Sequence, residues 1–382
     1  MAIELDTLLE FAVKKAISDV HLQEGRPPAF RVNSNLVSQK GAAALSKDDM
    51  TAFLDKLIVD DRKRKIFAET GSVDVGYGLR KIARFRFNIF RQYQGISLVA
   101  RVIPTRIPNF RDLNLPPVME KIAKEHRGLI LVTGATGSGK STTLASMIDN
   151  INQTRQSHIL TIEDPVEFQF EGRMSIINQR EIGASADNFP SALRAALRQD
   201  PDTILIGELR DTETIETALQ AAETGTLVMS TMHTIDTVET IDRAVGLFPP
   251  HAQDQIRHLV AEVISWVISM RLLLRKDGKG RVPACEILYA TPRIRELIHE
   301  KAGRHAILEV IAKGHKIYGM QTFDQSLLKL YTSDIISIET ALENCSNPAD
   351  FKLRISGIAG AEDADYQDFL QGGGKKKRKA KH

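Results

Sequence analysis

Cysteine is scarce. Cys285 and Cys345 are the only two in 382 residues, and their separation matches no metal-ligand spacing. Neither a disulfide framework nor a zinc site follows, and a reducing cytoplasmic compartment is the expectation. Long apolar runs are lacking too. The longest apolar region, HLVAEVISWVISMRLLL (258–274), is interrupted by Glu262 and Arg271. It falls short of the ~20 residues of a membrane span and reads as a buried helix. The opening MAIELDTLLEFAVKKAISD carries acids inside its apolar stretch and reads as an amphipathic helix, not a signal peptide. An excess of one charge is absent from the body of the chain. The net charge is +3, but the terminal GGGKKKRKAKH holds six Lys/Arg, leaving 45 basic against 48 acidic residues elsewhere. A body this close to neutral offers no extended nucleic-acid surface.

What is present is patterned in two ways, and the length suits two domains plus a tail. Residues 1–105 read as a small α+β domain. A helix over 3–17 precedes short extended pieces such as FRVN (30–33) and a polar helix over 47–69. VDVGYGL (73–79), ARFRFNIFRQ (83–92) and ISLVARVIP (96–104) then alternate like antiparallel strands. A proline-rich linker over 106–117 follows. From 118 to 356 the pattern changes. All-apolar LILVT (129–133), HILTI (158–162), TILIG (203–207) and TLVMS (226–230) alternate with helices over 140–151, 189–198, 212–223 and 236–247. Continuous apolar strands between helices predict a parallel sheet covered on both faces. Past 251 the chain reads as mostly helical, and 357–382 as a disordered tail ending in the basic run.

Gly134 to Ser141 fits G-x-x-x-x-G-K-[ST], between an apolar strand and a helix. Gly134, Gly137 and Gly139 let backbone N–H groups turn toward phosphates, with Thr136, Ser138 and Thr142 completing the cradle. Lys140 is placed to reach the β- and γ-phosphates of ATP, and Ser141 to ligate Mg²⁺. Three further strand ends carry polar groups. DTILIGE ends at Glu208, a candidate to orient or deprotonate the attacking water; its alternative role is an ion pair with Arg210. TIEDPVEF (161–168) brings Glu163, a candidate for metal-water contact, and Asp164, which suits a loop cap equally well. STMHT (230–234) brings His233, suited to hydrogen-bond the γ-phosphate.

These boxes, 134–142, IEDPVEF (162–168), ILIGELRD (204–211) and TMHT (231–234), resemble in order and spacing the secretion ATPases of type IV pili and type II secretion. SDVHL (18–22), GRPPAFRVN (25–33) and INQREIG (177–183) extend the resemblance over about 1–355. GMQTFDQSLLKLY (319–331) is similar to the PilT-type retraction ATPases and their PilU-type paralogues. The additional N-terminal region and four-cysteine zinc insertion of assembly ATPases have no counterpart here. Two departures stand out: Glu296 where the family has Asn, and Met270 where it has Gln.

The resemblance implies a PAS-like N-terminal domain, a RecA-like ATPase core with a helical C-terminal part, and a hexameric motor for pilus retraction. It implies ATP and Mg²⁺ as ligands. Arg84, Arg86 and Arg101 become phosphate sensors or interface groups, with a solvated sheet face as the alternative. The implied partners are a PilC-like platform protein of the inner membrane and a paralogous ATPase, at the cytoplasmic face of that membrane. The basic tail suits contact with an anionic membrane surface or, alternatively, is solvated. Competing expectations are a PilU-type accessory or assembly ATPase, a RecA-like nucleic-acid motor, and a nucleotide-switched scaffold.

Overall fold

A computed structural model describes residues 4–356, apart from 16, 33, 34, 39, 40, 80, 81, 94, 104 and 105. The tail expected over 357–382 lies outside the described residues. The chain divides into two compact units, Met1–Ile107 with Pro165–Gln169, and Pro108–Asp164 with the remainder. Among the described residues no helix is long and apolar enough to cross a membrane.

The first unit holds strands β1 (Asp19–Gln23), β2 (Ala29–Val32), β3 (Asn35–Ser38), β4 (Ser72–Leu79), β5 (Ala83–Gln92) and β6 (Gly95–Ile103). They form one antiparallel sheet in the order β3-β2-β1-β6-β5-β4. The Arg/Phe alternation of β5 sorts its side chains by face. Phe85, Phe87 and Ile89 are fully buried with Leu9, Phe53 and Leu98 from the unit's other elements, and Arg84 and Arg86 take the opposite face. The single polar helix expected over 47–69 is two helices, Lys47–Leu57 and Asp61–Thr70. Asp60 breaks the run by accepting the Arg62 N–H at 2.8 Å, a cap that starts a second helix.

The second unit carries β7 (Gly128–Thr133), β8 (His158–Glu163), β9 (Ile176–Glu181), β10 (Thr203–Ile206), β11 (Leu227–Met232), β12 (Ile264–Leu274) and β13 (Arg281–Tyr289). Their order is β13-β12-β7-β11-β10-β8-β9, parallel except where β13 meets β12. β7 and β11 are buried at every position, as a sheet with helices on both faces requires.

The expectation of one buried helix over 258–274, and of a mostly helical chain past 251, is corrected here. Gln253–Val263 is a helix, but Ile264–Leu274 is strand β12, paired to β7 and β13. A strand buried on both faces shows no period-2 alternation, so its apolar run cannot be told from a buried helix by pattern. The β-branched and aromatic residues of ISWVIS tip it toward strand. Helices resume from Pro292 onward. The helix expected at 118–126 shrinks to Met119–Ile122. In the stretch read as a linker, Phe110 and Leu115 are buried in the second unit's core, and Ser146 donates its hydroxyl to the Pro108 carbonyl at 2.5 Å.

Candidate nucleotide site

The strand order decides what stands beside what. Since β7, β11, β10 and β8 run parallel, their C-terminal ends share one edge. Along that edge come the phosphate loop after β7, His233 after β11, Glu208 after β10 and Glu163 closing β8. Neighbouring strands lie about 4.8 Å apart, so a γ-phosphate cradled at the loop would be a few strand spacings from all three groups.

The loop is built for close backbone approach. Gly134 has φ +141°, Gly137 +78° and Gly139 +97°, a region that favours glycine. At Gly134 a Cβ would also collide with the Met270 carbonyl oxygen and stand 2.6 Å from Ser138 Oγ. Lys140 is only 8% exposed, and its Nζ donates to the Gly134 and Ala135 carbonyls at 2.8 and 3.1 Å. A buried ammonium thus sits beneath the loop. Ser138 Oγ is buried with no hydrogen-bond partner among the described residues. The helix Lys140–Thr154 starts at Gly139 with no side-chain cap, whereas Asp211 and Asp236 cap the helices that follow β10 and β11. Uncapped N–H groups, a buried cation and an orphaned hydroxyl together fit a polyphosphate. Ser141 and Thr142 are half-buried in the first turn, and Thr136 is exposed at the loop's tip. Thr143 donates its hydroxyl to Met270 Sδ at 3.3 Å, so β12 backs the loop from beneath.

Glu208 and His233 are brought together. His233 Nε2 stands 3.6 Å from one Glu208 carboxylate oxygen, and Arg210 Nε lies 2.7 Å from the other. The expected ion pair with Arg210 therefore exists, but it engages one oxygen and leaves the other facing the imidazole. The ends of β10 and β11 are pinned to each other: Thr231 Oγ1 donates to the Gly207 carbonyl at 2.7 Å and Leu209 N to the Thr231 carbonyl at 3.0 Å. Glu163 is buried; its Oε1 accepts from Thr161 Oγ1 at 2.6 Å and from Gln179 Nε2 at 3.3 Å. Asp164, one residue on, is exposed. Thr161 was findable, because two residues before Glu163 on a strand is the same face. Gln179 was not, because its strand β9 was not anticipated.

In the first unit the arginines fall into register. Gly76, Arg86, Arg101, Asp19 and Arg31 face one another across β4, β5, β6, β1 and β2. Asp19, buried, accepts from Arg101 Nε at 3.0 Å and lies 3.9 Å from Arg31 Nε. Arg86 lies 3.9 Å from Asp74. Arg84 packs its guanidinium against Gly76, where a Cβ would come within 2.7 Å. One buried carboxylate among three arginines leaves this row positive. Asp19 and Arg31 escaped the sequence reading, since registry between distant strands is a tertiary fact.

A glycine-cradled lysine between a parallel strand and an uncapped helix, with carboxylates and an imidazole on adjacent strand ends, defines a P-loop nucleotide-binding protein. The chain belongs, more particularly, to the type II/IV secretion system protein family, whose model matches residues 2–333. It is 42% identical over 348 residues to the type IV pilus retractation ATPase PilT of Pseudomonas aeruginosa, covering 91% of this chain and 100% of that one. It is 35% identical over 370 residues to the type IV pilus ATPase PilU of the same organism, covering 97% and 96%. A crystal structure of the pilus retraction motor PilT with bound ADP superposes with a TM-score of 0.83 at 42% identity, over 91% of this chain and 98% of that one. These findings bear out the resemblance drawn from the sequence boxes.

Proposed function

We propose that this protein is the ATP-hydrolysing subunit of a hexameric motor that drives type IV pilus retraction. The observation that carries the reading is the order along one sheet edge of phosphate loop, His233, Glu208 and Glu163. The likeness to PilT over nearly the whole of both chains supplies the mechanical context. In this reading the first unit is PAS-like, the second is a RecA-like core, and the segment between them acts as a hinge.

Each residue then has a task. The N–H groups around Gly137 and Gly139 orient the phosphates, and Lys140 offsets the charge of the β- and γ-phosphates. Ser141 would hold Mg²⁺, with Glu163 contacting its water shell, and the ion would supply further charge neutralisation when bound. Glu208 orients the attacking water and accepts its proton. Arg210 and His233, one at each carboxylate oxygen, keep it aimed. His233 senses the γ-phosphate, with more effect on the transition state than on the ground state. Arg84, Arg86 and Arg101 deliver positive charge to the nucleotide across a subunit boundary, so that binding and hydrolysis drive closure and release. Partners on this reading are a PilC-like platform protein and a paralogous ATPase at the cytoplasmic face of the inner membrane. The tail beyond 356 is a site of electrostatic contact with that membrane.

A second reading, a PilU-type accessory motor, has weaker support, because the identity to PilU is 35% against 42% to PilT. Genomic deletion tests both. Loss of retraction with surface pili retained or increased is expected. Loss of surface pili would mark an assembly motor, and undiminished retraction would sink the proposal.

A further inference from the structure

Between His233 and the helix Thr237–Gly246 lie three residues, and all are held. Thr234 Oγ1 and Thr240 Oγ1 are 2.6 Å apart, Ile235 N donates to Glu239 Oε2 at 3.0 Å, and Asp236 pairs with Arg304. The helix itself is clipped to the sheet at two points. Thr240 Oγ1 donates to Thr133 Oγ1 at 3.3 Å, one residue before the phosphate loop. One turn earlier, Thr237 donates both its backbone N–H, at 3.0 Å, and its hydroxyl, at 2.8 Å, to Glu286 Oε1.

Glu286 is part of a polar row laid across the sheet. Thr133 on β7 is in register with Ser269 on β12, and Ser269 with Glu286 on β13. Thr133 Oγ1 and Ser269 Oγ are 2.7 Å apart. All three residues are within 2% of full burial. Thr237 and Thr240, three apart, face this row from one side of their helix. The other Glu286 oxygen accepts the Phe323 N–H at 3.4 Å, at the first turn of the helix Phe323–Thr332.

A carboxylate taken out of water is destabilised unless donors replace its hydration. Among the described residues its donors come from two helix N-termini, one of which directly continues the His233 segment. A polar group of this kind, placed where Gln or an apolar residue would fill the space, specifies geometry.

We propose that Glu286 is a positioning residue for hydrolysis. It fixes the start of the helix Thr237–Gly246, and through the segment 233–237 it sets His233 against Glu208. The proposal rests on the role given to His233 above. A misplacement of about 1 Å at a catalytic group can cost up to ~10²-fold in rate, so removal of a distant anchor is measurable.

The test is a double-mutant cycle on ATP hydrolysis by the full chain, using Glu286→Ala, Glu286→Gln and His233→Ala. Glu286→Ala should lower kcat about tenfold with the KM for ATP nearly unchanged, because only the transition-state group is displaced. Glu286→Gln, which keeps an acceptor oxygen for Thr237, should recover most of that loss. In the His233→Ala background Glu286→Ala should cost less than about twofold, since its target is gone. An equal loss in both backgrounds, or kcat and KM worsening together, would make Glu286 a structural residue and overturn the proposal alone. An unchanged rate in His233→Ala would overturn the role of His233 as well. If Glu286→Ala does not fold, the same cycle is read with Glu286→Gln, where a small loss that vanishes without His233 is expected and an additive one refutes.

Discussion

Glu208 meets Arg210 at 2.7 Å through one carboxylate oxygen and His233 at 3.6 Å through the other. Each carboxylate oxygen therefore faces a neighbouring nitrogen, which fixes the orientation of the Glu208 side chain at the end of β10. Glu208→Gln removes the charge and the proton acceptor while keeping the shape. Turnover should fall about 10²-fold or more with ATP still bound, the usual scale for losing a general base. Steady-state hydrolysis together with nucleotide-binding titration checks this. Hydrolysis at the native rate would transfer the role to Glu163.

Lys140→Ala should abolish ATP binding, not merely slow turnover. The buried ammonium is fixed by two loop carbonyls, so its charge stands ready where the β- and γ-phosphates arrive. Equilibrium binding of a fluorescent ATP analogue would show it. Undiminished affinity would mean that the loop backbone alone holds the phosphates.

Much of this was legible beforehand, and for identifiable reasons. The phosphate loop is local: eight residues, a strand before and a helix after. Glu163, Glu208 and His233 were readable because each closes an apolar strand, and parallel strands bring their C-terminal ends together. The β5 arginines followed from alternation. What escaped depended on contacts between distant segments. Strand β12 was hidden because burial on both faces erases the strand period. With it went the support that Met270 gives the loop, through its carbonyl at Gly134 and its sulfur at Thr143. The contacts of Gln179, Arg31 and Glu286 depend on register across sheets, which no local pattern carries.

The Met270 contact makes Gly134 the most demanding glycine of the loop. A Gly134→Ala chain must strain a φ of +141° and push a backbone carbonyl and Ser138 aside together. Strain of this type costs of order 1–3 kcal/mol, and the loop that moves is the one that binds phosphate. Weakened ATP affinity with a lowered melting temperature is expected. Gly137→Ala has a positive φ of +78° but open space around its Cβ, so it should be the milder of the two. Parallel melts and binding curves compare them, and a milder Gly134→Ala would contradict the packing.

Burial gives Glu286 a pH signature. Desolvation pushes its carboxyl above the usual carboxylate range, with nearby Asp236 adding to the rise and the Thr237 and Phe323 donors opposing it. Arg271 and Arg304 are cations in its field. A raised pKa in the folded state means that the folded protein binds this proton more tightly than the unfolded chain. The stabilisation is therefore complete below the unfolded glutamate value, about 4.3, and is lost as pH rises through the higher folded value. Glu286→Gln has no proton to lose. Its melting temperature relative to the native chain should thus rise as pH increases across that window, even if the variant starts less stable. Melts of both proteins over the same buffers measure the difference. A gap that stays constant with pH would show that Glu286 is no harder to ionise in the fold than in the open chain, and that its three donors fully replace the lost water.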